Sequence, residues 1–196
     1  VVQTWLPGES SETPPTTDAQ WEGLLSHLLL AHSVTPERTH APLQRAVLDA
    51  NCAVEAREAV HWQAARVPPE ARPPSLDALL CRFEAVERPK WPEAPVALCR
   101  VDNNLRNYIR RPGPWASVDW EYSGWGDPAF DVANLVTHVA LMDVAPARWR
   151  WFVHRYCRLA ADATAALRIG VYCDIMLVWW VARLARVSEE HKKSWR

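Results

Sequence analysis

The stretch that decides the fold is Arg100-Val101-Asp102-Asn103-Asn104-Leu105-Arg106-Asn107, followed by Val118-Asp119-Trp120-Glu121 and Gly126-Asp127-Pro128-Ala129-Phe130-Asp131. Val96-Ala97-Leu98-Cys99, after Pro95, is a short buried-strand pattern that ends at a polar loop carrying Asp102 and Asn107. Tyr108 to Arg111 and Trp115 to Trp120 are strand-like runs on either side of Pro112-Gly113-Pro114, so they are expected to form a hairpin. A hairpin returns the chain to its starting point, which predicts that Asp102, Asn107 and Asp119 converge. Two carboxylates and a carboxamide are hard oxygen donors and suit Mg²⁺, which keeps room for phosphate oxygens. A carboxylate not consumed by the metal can deprotonate a hydroxyl. Asp127-Pro128 reads as an N-cap followed by proline at the first helical position.

Outward from this core the chain reads as helical. Thr17-x-x-Gln20 is a capping box, and it opens a helix with Trp21, Leu24, Leu25, Leu28 and Leu29 on one face. Leu43, Ala46, Val47, Ala50 and Val54 predict a second helix reaching Arg66. Ser75 is expected to cap a third, with Leu76, Leu79, Leu80 and Phe83 inward. Pro146 predicts a helix with Trp149, Phe152, Val153 and Tyr156 on its core side, and Val171 to Val187 a last, central helix that is apolar nearly all round. The fold class expected is mainly α with a small β-hairpin insertion (α+β).

The composition narrows the function. The chain has 196 residues, 22 Lys+Arg and 23 Asp+Glu, so it lacks the basic surplus of a nucleic-acid module. An apolar fraction of 49% excludes wholesale disorder. Only 6 Gly stand beside 12 Trp and 16 Pro, and neither G-x-G-x-x-G nor G-x-x-x-x-G-K-[ST] occurs. The five Cys (Cys52, Cys81, Cys99, Cys157 and Cys173) are widely spaced with no C-x-x-C, and read as reduced core thiols. The apolar run from Val171 to Leu184 is interrupted by Asp174 and Arg183 and is read as too short and too charged to span a membrane. These features point to a cytoplasmic protein with no nucleic-acid or membrane partner.

The ordered set of Asp102-x₄-Asn107, hairpin, Asp119 and Gly126-Asp127-Pro128-x-Phe130-Asp131 resembles the aminoglycoside phosphotransferase and choline kinase family, which has the protein-kinase-like fold. The D-x₄-N spacing matches the kinase catalytic loop. The resemblance implies transfer of the γ-phosphoryl group of ATP or GTP to a hydroxyl of an aminoglycoside, sugar, amino alcohol or similar metabolite, with Mg²⁺. It implies that Asp102 is the catalytic base, that Asn107 and Asp119 hold the metal, and that Asp127 and Asp131 are structural braces. Glu121, Asn104 and Arg100 are candidates for the metal surroundings or the acceptor. Trp120 and Trp125 are candidate aromatics of the acceptor cleft, with packing as the competing reading. Residues 1–8, with Trp5-Leu6-Pro7-Gly8, resemble the hinge between two lobes. Residues 9–196 then correspond to the large C-terminal lobe, with catalytic loop and hairpin at 96–121, while the nucleotide-clamping N-terminal lobe and its Lys are expected to be absent and the chain alone inactive. The family has His at the place of Arg100 and often Gly at that of Val101. These departures keep open the alternative of a noncatalytic pseudokinase or ligand-binding remnant of the same fold.

Overall fold

The computed structural model describes residues 6–39 and 42–194, the side chains of 192–194 excepted. The first five residues of the hinge-like segment therefore lie outside the described residues. Six helices occur among the described residues: α1 (Asp18–His32), α2 (Ala53–Ala65), α3 (Pro74–Ala85), α4 (Pro128–Thr137), α5 (Pro146–Ala160) and α6 (Ala165–Ser194). The strands are short: β1 (Glu9–Ser10), β2 (Ala97–Cys99), β3 (Tyr108–Arg110), β4 (Ala116–Ser117) and β5 (Gly124–Gly126). β3 and β4 form the expected antiparallel hairpin, and β1 adds to its edge. β2 pairs antiparallel with β5, with Leu98 opposite Trp125.

One core runs through the helices. Trp21, Leu24, Leu25 and Leu28 of α1 pack with Phe130 and Leu135 of α4, Phe152 and Tyr156 of α5, and Ile169, Tyr172, Ile175 and Met176 of α6. Full burial of such side chains stabilises by about 1.5–3 kcal/mol each, so this cluster dominates the stability of the fold. The Thr17–Gln20 capping box is formed, and Asp127 caps α4 through the Ala129 N–H at 2.8 Å.

Three expectations are corrected. The second helix begins at Ala53 rather than near Leu43. Residues 44–46 run extended beside β5 instead: the Trp125 N–H donates to the Gln44 carbonyl at 2.9 Å, and the Ala46 N–H donates to the Trp125 carbonyl at 3.0 Å. The apolar spacing there is not a helix face, since Val47 is 71% exposed. This approach is close enough to dictate residue type, because a Cβ on Gly124 would sit 2.3 Å from the Gln44 carbonyl oxygen. Next, Pro73 rather than Ser75 stands at the cap of α3, with Pro74 at the first helical position. Finally, α6 starts six residues before Val171 and runs on to Ser194. From Ala165 to His191 it is long and apolar enough to cross a membrane by length and composition. It is not apolar all round in its burial: Tyr172, Ile175, Met176, Trp179 and Ala182 are buried, while Leu177, Val181 and Leu184 are exposed.

The cysteines are free thiols, but the reading of them as core residues holds fully for Cys99 alone: Cys81 is exposed and the others are intermediate. His27 is buried, its Nδ1 donating to the Trp115 carbonyl at 2.9 Å and its Nε2 2.9 Å from the Ser117 hydroxyl, which ties α1 to the hairpin.

Two predictions follow from buried charge. Arg168 and Asp127 are both fully buried, with Nε to Oδ2 at 2.9 Å and Nη2 to Oδ1 at 3.0 Å. Replacing Arg168 with Met strands the Asp127 carboxylate, and chemical denaturation should show a loss of about 3–5 kcal/mol. Burial lowers the His27 pKa to about 4, more than the hydrogen bond to Trp115 raises it. The unfolded chain takes up this proton near pH 6.5 and the folded chain near 4, so the contribution is complete above about pH 6.5 and is lost as pH falls. A thermal melt series from pH 7 to 4.5 should fall steadily, and His27→Gln should flatten that fall.

Candidate active site

The catalytic loop follows β2 and is held from beneath by one carboxylate. Asp131, fully buried in the first turn of α4, accepts from the Arg100 N–H at 2.9 Å, the Val101 N–H at 3.0 Å and His32 Nε2 at 3.1 Å, with Asn103 Nδ2 at 3.5 Å. Burial alone raises its pKa. The hydrogen bond and charge of His32, with the Arg100 and Val101 N–H groups, outweigh that and hold it below the ordinary carboxylate value. Asn134, one turn further along α4, donates to the Val101 carbonyl at 2.9 Å. The peptide groups around Val101 are thus fixed on both sides.

Val101 needs such fixing. Its φ is +57°, at the centre of a three-residue turn closed by the Asp102 N–H on the Arg100 carbonyl at 2.8 Å. A β-branched residue is strained there, which is why glycine suits the position. The turn lifts Asp102 to the surface of the loop. Asp102 Oδ1 accepts from the Asn104 N–H at 3.2 Å, and Oδ2 accepts from Asn107 Nδ2 at 2.8 Å. Asn107 spends a side-chain Nδ2–H on Asp102, which turns its side-chain Oδ1 into the atom offered to a cation. The hairpin brings Asp119 back beside this loop: the Val118 N–H donates to the Asn107 carbonyl at 2.9 Å. Asp119 has φ +61°, and its carboxylate is exposed. The donor chemistry of Asp102, Asn107 and Asp119, all oxygen, fits a hard divalent cation.

Arg100 takes the position of the expected His and is 1% exposed. Its Nε donates to the Asp102 carbonyl at 2.8 Å and its Nη2 reaches the Asp119 carbonyl at 3.4 Å. Its guanidinium lies over the Tyr108 ring at 5.1 Å and the Trp120 ring at 5.3 Å. One buried cation therefore ties the Asp102 backbone to the Asp119 backbone, and planar stacking lets it do so without a carboxylate partner among the described residues.

A cavity of about 890 Å³ opens on the other side of Asp102. It is walled by α2 (Glu55, Glu58, Trp62, Gln63), by the segment Arg45–Asp49, by Tyr122, and by His138, Trp179, Trp180 and Arg183 at the α4 and α6 side. Neither Asn107 nor Asp119 lines it, so Asp102 stands at the border between the two regions. Trp120 and Trp125 do not line it either. Trp120 stacks on Arg100 and donates its indole N–H to the Ser117 carbonyl at 3.1 Å, and Trp125 is fixed in the β2–β5 pair. The cavity aromatics are Trp62, Tyr122, Trp179 and Trp180. Asn104 and Glu121 are exposed and off the cavity; Asn104 caps the short turn Leu105–Asn107 through the Arg106 N–H at 3.1 Å. Asp127 caps α4 and engages Arg168, and Asp131 accepts from the Arg100 and Val101 N–H groups. Sequence reasoning missed His32, Asn134 and His138, each of which shows only as an isolated polar residue in a helical pattern. His32, Cys99 and Asp131 present ligand atoms within 4.8 Å of one another. That group is a packed hydrogen-bond cluster, because His32 Nδ1 is engaged by the Tyr156 hydroxyl at 2.8 Å and both Asp131 oxygens are already accepting.

Residues 1–169 match the model of the "Phosphotransferase enzyme family". Protein LicA of Haemophilus influenzae is 26% identical over 130 residues, covering 62% of this chain and 45% of LicA. Among solved structures, choline kinase LicA from Streptococcus pneumoniae matches 87% of this chain and 56% of its own length, at 16% identity and a TM-score of 0.52. A putative aminoglycoside phosphotransferase from Ralstonia eutropha matches 91% and 71%, at 14% identity and a TM-score of 0.58. These two likenesses show the fold. The chain spans about half the length of the LicA proteins it matches.

The strained turn yields a comparison that thermal or chemical denaturation can check. Val101→Gly deletes a buried isopropyl group worth about 1.5–3 kcal/mol, but it also releases about 1–3 kcal/mol of backbone strain. It should cost about 1 kcal/mol or less. Val60→Gly, at an equally buried helical site in α2, should cost about 3 kcal/mol or more.

Proposed function

The chain belongs to the phosphotransferase enzyme family, and we propose that it carries the base, the metal ligands and the acceptor cleft of a kinase for small-molecule hydroxyls. The relatives' names span choline kinase and aminoglycoside phosphotransferase activity. The common chemistry is transfer of the γ-phosphoryl group of ATP or GTP to an alcohol. The observation that carries this reading is the position of Asp102, which is bonded to Asn107 on one side and open to the 890 Å³ cavity on the other.

In this reading the acceptor enters the cavity and presents its hydroxyl to Asp102. The Asn104 N–H and the Asn107 amide hold the carboxylate so that a lone pair on each oxygen stays available, and it takes the hydroxyl proton as the oxygen attacks phosphorus. Mg²⁺, held by Asn107 and Asp119, supplies neutralisation of the phosphate charge when bound. Arg100 keeps the two loops in fixed relation, which matters because phosphoryl transfer depends mainly on positioning. In this reading residues 9–196 take the part of the C-terminal lobe of the kinase-like fold.

Arg100 and Val101 in place of His and Gly motivate a second reading, a noncatalytic remnant that binds ligand without transfer. The bonds of Arg100 to the Asp102 and Asp119 carbonyls support the active reading, since they perform the bracing expected of the His. The test is phosphoryl transfer in the full-length natural protein with Mg²⁺, ATP or GTP, and a panel of hydroxyl acceptors. Asp102→Asn should lower kcat by about 10²–10⁴-fold with little change in acceptor KM. Unchanged turnover would remove Asp102 as base, and no turnover with any acceptor would favour the remnant.

A further inference from the structure

The cleft wall on α6 is richer in donors than a small neutral alcohol requires. Arg183 lines the cavity, half-buried, with its guanidinium 5.3 Å from the Trp179 ring and 5.9 Å from the Trp180 ring. Among the described residues it forms no ion pair. Trp180 also lines the cavity, and its indole Nε1–H is buried with no hydrogen-bond partner among the described residues. His138 stands beside it, ring centroids 5.2 Å apart. The Ala140 N–H donates to His138 Nδ1 at 3.2 Å, which leaves Nε2 as the protonated nitrogen of the neutral ring. Burial, and after it the charge of Arg183, keeps that ring neutral against the pull of Asp102. Arg183, Trp180 and His138 therefore share one wall of the cavity, with the Arg183 guanidinium in no ion pair among the described residues.

The opposite wall has acids, but most are spent. Asp49 and Glu55 both bind Arg45, at 3.0 and 2.5 Å. Asp49 also accepts from the Asp127 N–H, and Glu55 from the Asn51 N–H. Asp102 is committed as the base. Glu58 stays exposed at the rim. The tryptophan faces that would otherwise attract a cationic ligand are covered: Arg183 lies over Trp179 and Trp180, and Arg66 over Trp62 at 4.2 Å. A positively charged head group would meet arginine where an aromatic box would offer bare rings.

We propose that the acceptor is a hydroxyl compound that also carries a carboxylate, and that Arg183, with the Trp180 and His138 N–H groups, recognises that carboxylate while the hydroxyl faces Asp102. This rests on the kinase reading for the role of Asp102, but the carboxylate site itself can be tested without catalysis. The probes are matched pairs differing by a carboxylate (serine and ethanolamine, homoserine and 3-aminopropanol, glycerate and glycerol), with choline as a bare cation. Binding is measured calorimetrically on the full-length protein and on Arg183→Gln and Arg183→Lys variants whose melting curves match the parent. The carboxylated member of at least one pair should bind about tenfold more tightly or better, because an ion pair in a partly desolvated cleft outweighs a neutral hydrogen bond. Arg183→Gln should abolish the preference and Arg183→Lys should retain part of it. Equal binding within every pair, tighter binding of choline or the bare amines, no binding at all, or a preference that survives Arg183→Gln would each overturn the proposal. Transfer activity of the parent separates the two readings: a carboxylate preference in a parent protein that phosphorylates no acceptor leaves this site standing and removes the kinase.

Discussion

The buried carboxylate of Asp131 is the constraint on which the rest of the site depends. A carboxylate taken out of water is costly unless nearly every lone pair is used. Here the groups that use them are the backbone of the catalytic loop and His32 at the end of α1. Satisfying the charge and shaping the loop are therefore the same act. Without Asp131 the strained turn at Val101 has no reason to persist, and Asp102 loses the height that brings it to the cavity edge. The second buried acid, Asp127, does the same for the helix that carries Asp131, since its oxygens cap α4 and engage Arg168 and Tyr172 of α6. Two carboxylates four residues apart thus anchor one helix to the loop above it and to the long helix behind it.

Arg100 shows how the loop tolerates a departure from the usual residue. A histidine braces through one ring. An arginine reaches further and donates from several nitrogens, so it spans from Asp102 to Asp119. It needs a fully enclosed slot to do so, and Tyr108 and Trp120 provide the two aromatic faces. One of its terminal nitrogens, Nη1, is left without a partner, which is the residual cost of fitting a five-donor group where a smaller ring serves elsewhere.

What was legible in the sequence was what short spacing fixes. Asp102, Asn107 and the hairpin lie within twenty residues, and Asp127-Pro128 marks a helix start by local chemistry alone, so those positions could be read directly. The strand between Arg45 and Trp125 could not, because its partner is eighty residues away and its own alternation mimics a helix face. The cleft was illegible for the same reason: Gln63, His138 and Arg183 come from three separated segments and meet only by packing. Trp120 and Trp125 stood near the motif and drew attention for that, yet Trp120 stacks on Arg100 and Trp125 is fixed in the β2–β5 pair, both off the cavity. The tryptophans that face the cavity belong to helices whose apolar periodicity made them look like ordinary core.

The division of the site at Asp102 has an evolutionary meaning. The proposed base and metal ligands belong to one continuous loop and hairpin, whereas the cavity walls belong to α2, to Arg45–Asp49 and to α6. On the proposed reading, drift in the walls changes which alcohol is admitted without disturbing the groups assigned to phosphate. A scaffold partitioned in this way can be recruited repeatedly to new metabolites, including antibiotics, by a few substitutions on two helices. That offers a physical basis for related chains of one fold bearing names as different as choline kinase and aminoglycoside phosphotransferase.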